Sequence, residues 1–172
     1  MDLFILRHGE AGKRLSSGSS DFDRPLTITG KREVTDITKS LKDFGVKFNF
    51  IITSPLKRAH QTASLVAMAF NSENKIEKWD ELKPDGNRRD LYRKLSQRFK
   101  QDSSILIVGH EPYLSSLISE VMFEGDRMST AGGRIVLKKA GLAKVRITPS
   151  HQTIQGELRW LLTPKHLKKI SK

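Results

Sequence analysis

Leu3-Phe4-Ile5-Leu6 runs directly into Arg7-His8-Gly9, and Ile105-Leu106-Ile107-Val108 runs into Gly109-His110. Between the two, Ser54-Pro55 opens a segment that carries Arg58. A guanidinium presents a planar fork of donors that grips an oxyanion at two points. An imidazole beside it attacks that group as a nucleophile or carries a proton for it. Two such arginines and two such histidines around one crevice suit a tetrahedral phosphoryl group. The arginines would neutralise its oxygens while one imidazole attacks phosphorus in line. Neighbouring guanidinium charges are expected to depress the pKa of His8 and keep it neutral near pH 7. Gly9 is expected to remove a side chain that would block a ligand's approach to the backbone. An Arg-His pair after an apolar run is ordinary surface punctuation when it stands alone. The pattern therefore carries weight only if the fold brings the three segments together.

The apolar periodicity supplies elements that would do so. Residues 3–6 and 105–108 read as strands buried on both faces, and 48–53 as another strand. Thr29 is the expected N-cap of a helix that buries Val34, Ile37, Leu41 and Phe44 and closes at Gly45. Ser54 is expected to cap, and Pro55 to start, a helix that buries Ala59, Ala63, Val66 and Phe70. Arg58 would then lie in a first helical turn, where the helix terminus itself favours anions. A short strand over 75–79 leads to a loop with Asp80 and Glu81, and a helix over 87–101 buries Leu91, Leu95 and Phe99. Glu111-Pro112 begins a helix that buries Leu114, Leu117, Ile118 and Val121. In the last third, 134–137 and 144–148 read as a hairpin around Ala140-Gly141, 157–162 as a strand in preference to a short helix, and Thr163-Pro164 as the start of a basic helical turn. The polar stretch 12–23, centred on Ser16-Ser17-Gly18-Ser19-Ser20, reads as a mobile surface loop. The alternation predicts an α/β three-layer sandwich, a central mostly parallel sheet flanked by helices, in one domain spanning 1–172. The C-terminal ends of parallel strands share one edge, so His8, Arg58 and His110 are expected to meet there.

Composition narrows the classes of function. The chain has 172 residues, 37% hydrophobic and 29% charged, as expected of a globular protein. It has no cysteine, which excludes disulfides, thiol catalysis and cysteine-held metals. No signal peptide and no membrane-spanning run is legible, so a cytoplasmic location is expected and no membrane partner. The net charge of +12 is dispersed, for example over Lys31-Arg32, Arg88-Arg89 and Lys138-Lys139, with little aromatic interleaving. It therefore reads as a basic solvated surface, and nucleic acid is not expected as a partner. His60, His151 and His166 read as surface residues.

Beyond the tripeptide, a longer set of motifs occurs in order: Leu6-Arg7-His8-Gly9-Glu10-Ala11, Arg24-Pro25-Leu26-Thr27 with Gly30, the run from Ser54 through Arg58 to Ala63, Glu81-Leu82-Lys83-Pro84-Asp85-Gly86, and Val108-Gly109-His110. This series resembles the histidine phosphatase superfamily, whose fold is that of the cofactor-dependent phosphoglycerate mutases, and within it the SixA-type phosphohistidine phosphatases. The resemblance covers roughly residues 2–125. It implies His8 as the nucleophile that becomes transiently phosphorylated, Arg7 and Arg58 as phosphate clamps, and His110 as a second histidine bonded to the transferring group. It implies Glu81 as general acid, with Glu111 the rival because another branch places its acid directly after the second histidine. Glu10 is left without a chemical task. No metal and no cofactor is implied. The expected activity is hydrolysis of phosphohistidine on a protein, such as a histidine phosphotransfer domain, by a monomeric or weakly associating enzyme. A small-molecule phosphatase or mutase using the same site, and a non-catalytic basic binding module, are the alternatives.

Overall fold

The computed structural model describes residues 1–13, 20–123, 135–149 and 154–166. Strand β1 (Asp2–Arg7) sends Leu3 and Ile5 into one hydrophobic core and Phe4 and Leu6 into the other. Each such buried side chain contributes about 1.5–3 kcal/mol of transfer free energy, which makes this strand a firm anchor for the Arg7-His8 pair at its end. On one side it pairs in parallel with β4 (Ser104–Gly109), Arg7 lying opposite Gly109. On the other it pairs antiparallel with β5 (Leu142–Pro149). Strand β2 (Phe50–Thr53) runs parallel to β4, and β3 (Ile76–Lys78) parallel to β2. With β6 (Ile154–Leu162) antiparallel to β5, the order is β3-β2-β4-β1-β5-β6, a mostly parallel sheet as the α/β alternation predicts.

Helices cover both faces. On one, α1 (Ile28–Asp43) and α2 (Lys57–Ala69) bury Val34, Ile37, Leu41, Ala59, Ala63 and Val66. On the other, α3 (Arg88–Arg98) and α4 (Tyr113–Met122) bury Leu91, Leu95, Leu114, Leu117, Ile118 and Val121. The three-layer architecture is the one expected. No helix among the described residues is long and apolar enough to cross a membrane.

Several local expectations shift. The cap of α1 is Thr27, not Thr29: its Oγ1 accepts from Gly30 N at 3.0 Å. Helix α2 begins at Lys57 after Leu56, with no side-chain cap, so Ser54 is left for other work. Helix α3 ends at Arg98, short of 101, and Asn87 caps it by accepting from Arg89 N. The hairpin of the last third is β5 with β6, and 135–138 has no regular structure. The periodicity of 134–137 misled because 135–137 is an irregular segment, with Leu137 fully buried and Val136 exposed. The Ser/Gly centre of the 12–23 loop, Arg134 and His151 lie outside the described residues.

Candidate active site

The register sets the site. His8 N donates to Gly109 O at 3.1 Å and Ser54 N to Val108 O at 2.9 Å, so the chain leaves β1, β4 and β2 at one level. A cavity of about 420 Å³ opens there, lined by Arg7, His8, Asp21, Arg24, Arg58 and His110, with Ala11, Pro84, Glu111 and Lys139 completing it.

His8 is 8% exposed, and its ring orientation is fixed from both ends. Nδ1 lies 2.7 Å from Gly9 O. A carbonyl can only accept, so Nδ1 carries the proton and Nε2 keeps its lone pair. Arg58 Nε donates to that lone pair at 3.3 Å. The His8 pKa is lowered to about 4, chiefly by burial, with Arg58, Arg7 and Arg24 adding to it. The depressed pKa expected from the arginines is present, but desolvation leads it.

Arg58 is 4% exposed in the first turn of α2, so its charge needs a counter-charge. Asp21 provides one. Arg58 Nη1 donates to Asp21 O at 2.8 Å and Nη2 to Asp21 Oδ2 at 3.0 Å. Asp21 Oδ1 pairs in turn with Arg24 Nη2 at 2.9 Å, and Arg24 Nη1 donates to Gly12 O at 3.2 Å. Thr62 ties this helix to the histidine strand, its Oγ1 donating to Arg58 O at 2.8 Å and accepting from Gly9 N at 3.2 Å.

His110 is 2% exposed, with its ring centroid 5.1 Å from that of His8. Its Nε2 lies 2.9 Å from Ser54 Oγ, while Nδ1 is buried without a hydrogen-bond partner. Ser54, freed from capping, therefore serves the second histidine. Burial lowers the His110 pKa to about 3, with the neighbouring His8 and Arg58 contributing.

Arg7 donates Nη1–H to Leu137 O at 2.9 Å, and its Nε–H is buried with no partner. The two carboxylates raised by sequence part company. Glu81 stands on the 3-10 turn Asp80–Leu82, and both its oxygens accept from Lys94 Nζ at 3.0 and 3.1 Å. Lys94 itself sits 4.2 Å from the Trp79 ring centroid, and Pro84 is the residue of this loop that reaches the cavity. Glu81 is thus not brought to the other four residues. Glu111 is: it lines the cavity, accepts from Ser115 Oγ at 2.5 Å, and has Oε1 buried and unpartnered. Burial raises its pKa above the ordinary carboxylate value. Glu10 is occupied structurally, accepting from Thr27 Oγ1 at 3.2 Å and pairing with Lys139 at 3.4 Å. His60 lies on α2, half-buried beside Ser64.

Arg7, His8, Arg58 and His110 therefore meet in space as the sequence predicts, whereas Asp21, the pairing of Ser54 with His110 and the cavity position of Arg24 were missed. Arg24-Pro25 was visible as part of an ordered motif, which was the one signal available. Chemically, the cavity offers an unprotonated imidazole nitrogen, unpartnered N–H groups of Arg7 and Arg24, and three guanidiniums against few carboxylates. That arrangement attracts a multiply charged oxyanion to within reach of His8 Nε2. Among the described residues, no group of three or more His, Asp or Glu is placed to hold a metal ion.

Comparison with known proteins agrees with this chemistry. Residues 3–84 match the histidine phosphatase superfamily (branch 1). The chain is 31% identical over 170 residues to an uncharacterised protein of Picosynechococcus sp., covering 97% of this chain and 99% of that protein. A shorter match, 38% identical over 66 residues, links it to the mitochondrial serine/threonine-protein phosphatase PGAM5 of Xenopus tropicalis, covering 38% of this chain and 22% of that protein. Among solved structures, the protein histidine phosphatase SixA complexed with tungstate superimposes with a TM-score of 0.79 and 27% identity, over 98% of this chain and all of that one.

Proposed function

Because the chain belongs to the histidine phosphatase superfamily and is a phosphatase, we propose that it hydrolyses phosphohistidine carried on a protein, through a covalent phosphohistidine intermediate at His8. The observation that carries this reading is the state of His8 Nε2: buried, unprotonated and facing the Arg58 guanidinium. On substrate binding Arg58 Nε–H turns from the His8 Nε2 lone pair to a phosphoryl oxygen, which frees that lone pair, and Arg7 Nε–H binds a second oxygen. A Ser54 hydroxyl donating to His110 Nε2 leaves Nδ1 of that ring as an N–H, a further donor for the same group. His8 Nε2 then attacks phosphorus in line, and the bond from phosphorus to the substrate's ring nitrogen breaks with its electron pair returning to that nitrogen. The ring leaves as neutral imidazole, taking a proton from Glu111 or already carrying one on its other nitrogen. In the second step water attacks phosphorus, the bond to Nε2 breaks, and the water's proton passes to Glu111 or to solvent. Glu111 is the carboxyl placed for proton transfer, and its raised pKa keeps a fraction protonated at higher pH than an ordinary glutamate.

The protein substrate is favoured by two features. An imidazole departs more readily than an alkoxide and asks less of the acid, which suits a site where, among the described residues, Glu111 lines the cavity free of an ion pair while Asp21 is held by two arginines. The full-length likeness to a protein histidine phosphatase that holds tungstate, a tetrahedral oxyanion, supports the same assignment. The test compares kcat/KM for a phosphorylated histidine phosphotransfer domain with that for 3-phosphoglycerate and p-nitrophenyl phosphate. The phosphoprotein is expected to exceed both. Equal or better turnover of 3-phosphoglycerate would replace the protein substrate with a small phosphomonoester.

A further inference from the structure

The segment between the described residues 20 and 24 was legible in sequence only as the end of a polar loop, yet it delivers a carboxylate to the centre of the site. Ser20 caps the 3-10 turn Asp21–Asp23, its Oγ accepting from Phe22 N at 3.1 Å. The turn is tied down behind by Gly12 N donating to Pro25 O at 3.1 Å. Asp21 thereby lines a cavity otherwise rich in guanidinium groups. A carboxylate there opposes the binding of an anion by simple Coulomb repulsion, so its presence calls for a compensating role.

The hydrogen bonds supply one. Asp21 takes the Nη1 and Nη2 side of Arg58 with its own carbonyl oxygen and Oδ2, and this leaves Nε directed at His8 Nε2, 3.3 Å away. The other carboxylate oxygen holds Arg24, whose Nε–H remains buried without a partner. One residue, through its carboxylate and its main-chain carbonyl, thus keeps two like-charged guanidiniums beside each other and turns the reactive edge of the buried one toward the nucleophile. We propose that Asp21 is the positioning residue of the phosphate clamp, fixing Arg58 and Arg24 so that the phosphoryl group meets preorganised donors rather than mobile ones. The inference rests on the phosphatase reading of the cavity and is independent of whether the natural substrate is a phosphoprotein.

The test uses the full chain and two readouts that need no protein substrate: p-nitrophenyl phosphate hydrolysis and calorimetric binding of inorganic phosphate. Asp21→Asn is expected to lower kcat/KM by about tenfold or more, the scale of a lost charge-assisted hydrogen bond, and to weaken phosphate binding in parallel. Asp21→Glu, which keeps the charge, is expected to recover part of the loss. In an Arg58→Ala background most of the Asp21→Asn effect should vanish, because the residue acts through the arginine. Phosphate binding equal to or tighter than wild type in Asp21→Asn would overturn the proposal, since the carboxylate would then only compete with the ligand. An undiminished Asp21→Asn loss in the Arg58→Ala background would overturn it as well, assigning the effect to the fold of the turn. Loss of the phosphoprotein preference, by contrast, would bear only on the substrate and leave these outcomes intact.

Discussion

At the scale of single residues, the four groups that stand at the ends of strands or in a helix's first turn were legible because their apolar context was. Arg7 and His8 come after Leu3 to Leu6, His110 after Ile105 to Val108, and Arg58 after a Ser-Pro helix signal. The carboxylates were not legible in this way. Glu81 and Glu111 both lie near strand ends in sequence, and only the 3-10 turn that hands Glu81 to Lys94 separates them. Nor could a Ser/Gly-rich loop announce that Asp21 would fold back onto a helix 37 positions away. The separation of the two glutamates gives a direct expectation. For a phosphomonoester with a poor leaving group, Glu111→Gln should lower kcat by about a hundredfold, the usual scale of general acid catalysis. Glu81→Gln should leave kcat within about twofold, because a surface ion pair with Lys94 contributes little. Steady-state kinetics on an alkyl phosphate distinguishes them, and a reversed pattern would return the proton donor to Glu81.

At the scale of elements, the parallel register of β1, β4 and β2 is what makes a site of residues about fifty positions apart, and α2 is locked to that sheet edge by one hydroxyl. Thr62 Oγ1 satisfies both Gly9 N and Arg58 O. Thr62→Val keeps the shape and removes both bonds, leaving a buried N–H unmade at a cost of about 1–3 kcal/mol. The melting temperature should fall by roughly 2–12 °C, using about 2–4 °C per kcal/mol for a chain of this size. Phosphate affinity should fall with it, since His8 and Arg58 lose their shared tether. An unchanged melting temperature would show that the tether carries no load. Gly9 carries a packing constraint beside the one read from sequence. A Cβ there would lie 2.8 Å from Gly30 O and 2.9 Å from Val34 Cγ2. The close approach seen here is between this loop and α1. Element boundaries slipped where capping chemistry was ambiguous, as with Thr27 against Thr29. The last third slipped because an irregular segment carried strand-like composition.

At the scale of the whole molecule, burying two neutral histidines couples stability to pH. Their folded pKa values, about 4 for His8 and about 3 for His110, lie below the ordinary 6.5. Between pH 6.5 and 4 the unfolded chain therefore binds more protons than the folded one, so stability is full above 6.5 and falls as pH falls. Each histidine contributes up to about 1.4 kcal/mol per pH unit in that window. Urea unfolding at a pH of about 7.5 and again at about 5.5 should show this decline, and His110→Gln should flatten it. A flat profile in the wild type would mean that the site is hydrated and the histidines titrate normally. The same neutral His8 is the premise of the chemistry. The most direct measurement is the trapping of the phosphoenzyme: quench the protein in alkaline detergent within its first turnover on labelled phosphohistidine substrate, separate the chain and assay it for phosphate. Wild type should carry label that survives alkali and is lost on later acid treatment, as a phosphoramidate is, and His8→Ala should carry none. Equal labelling of His8→Ala, or a label stable to acid, would contradict His8 as the nucleophile.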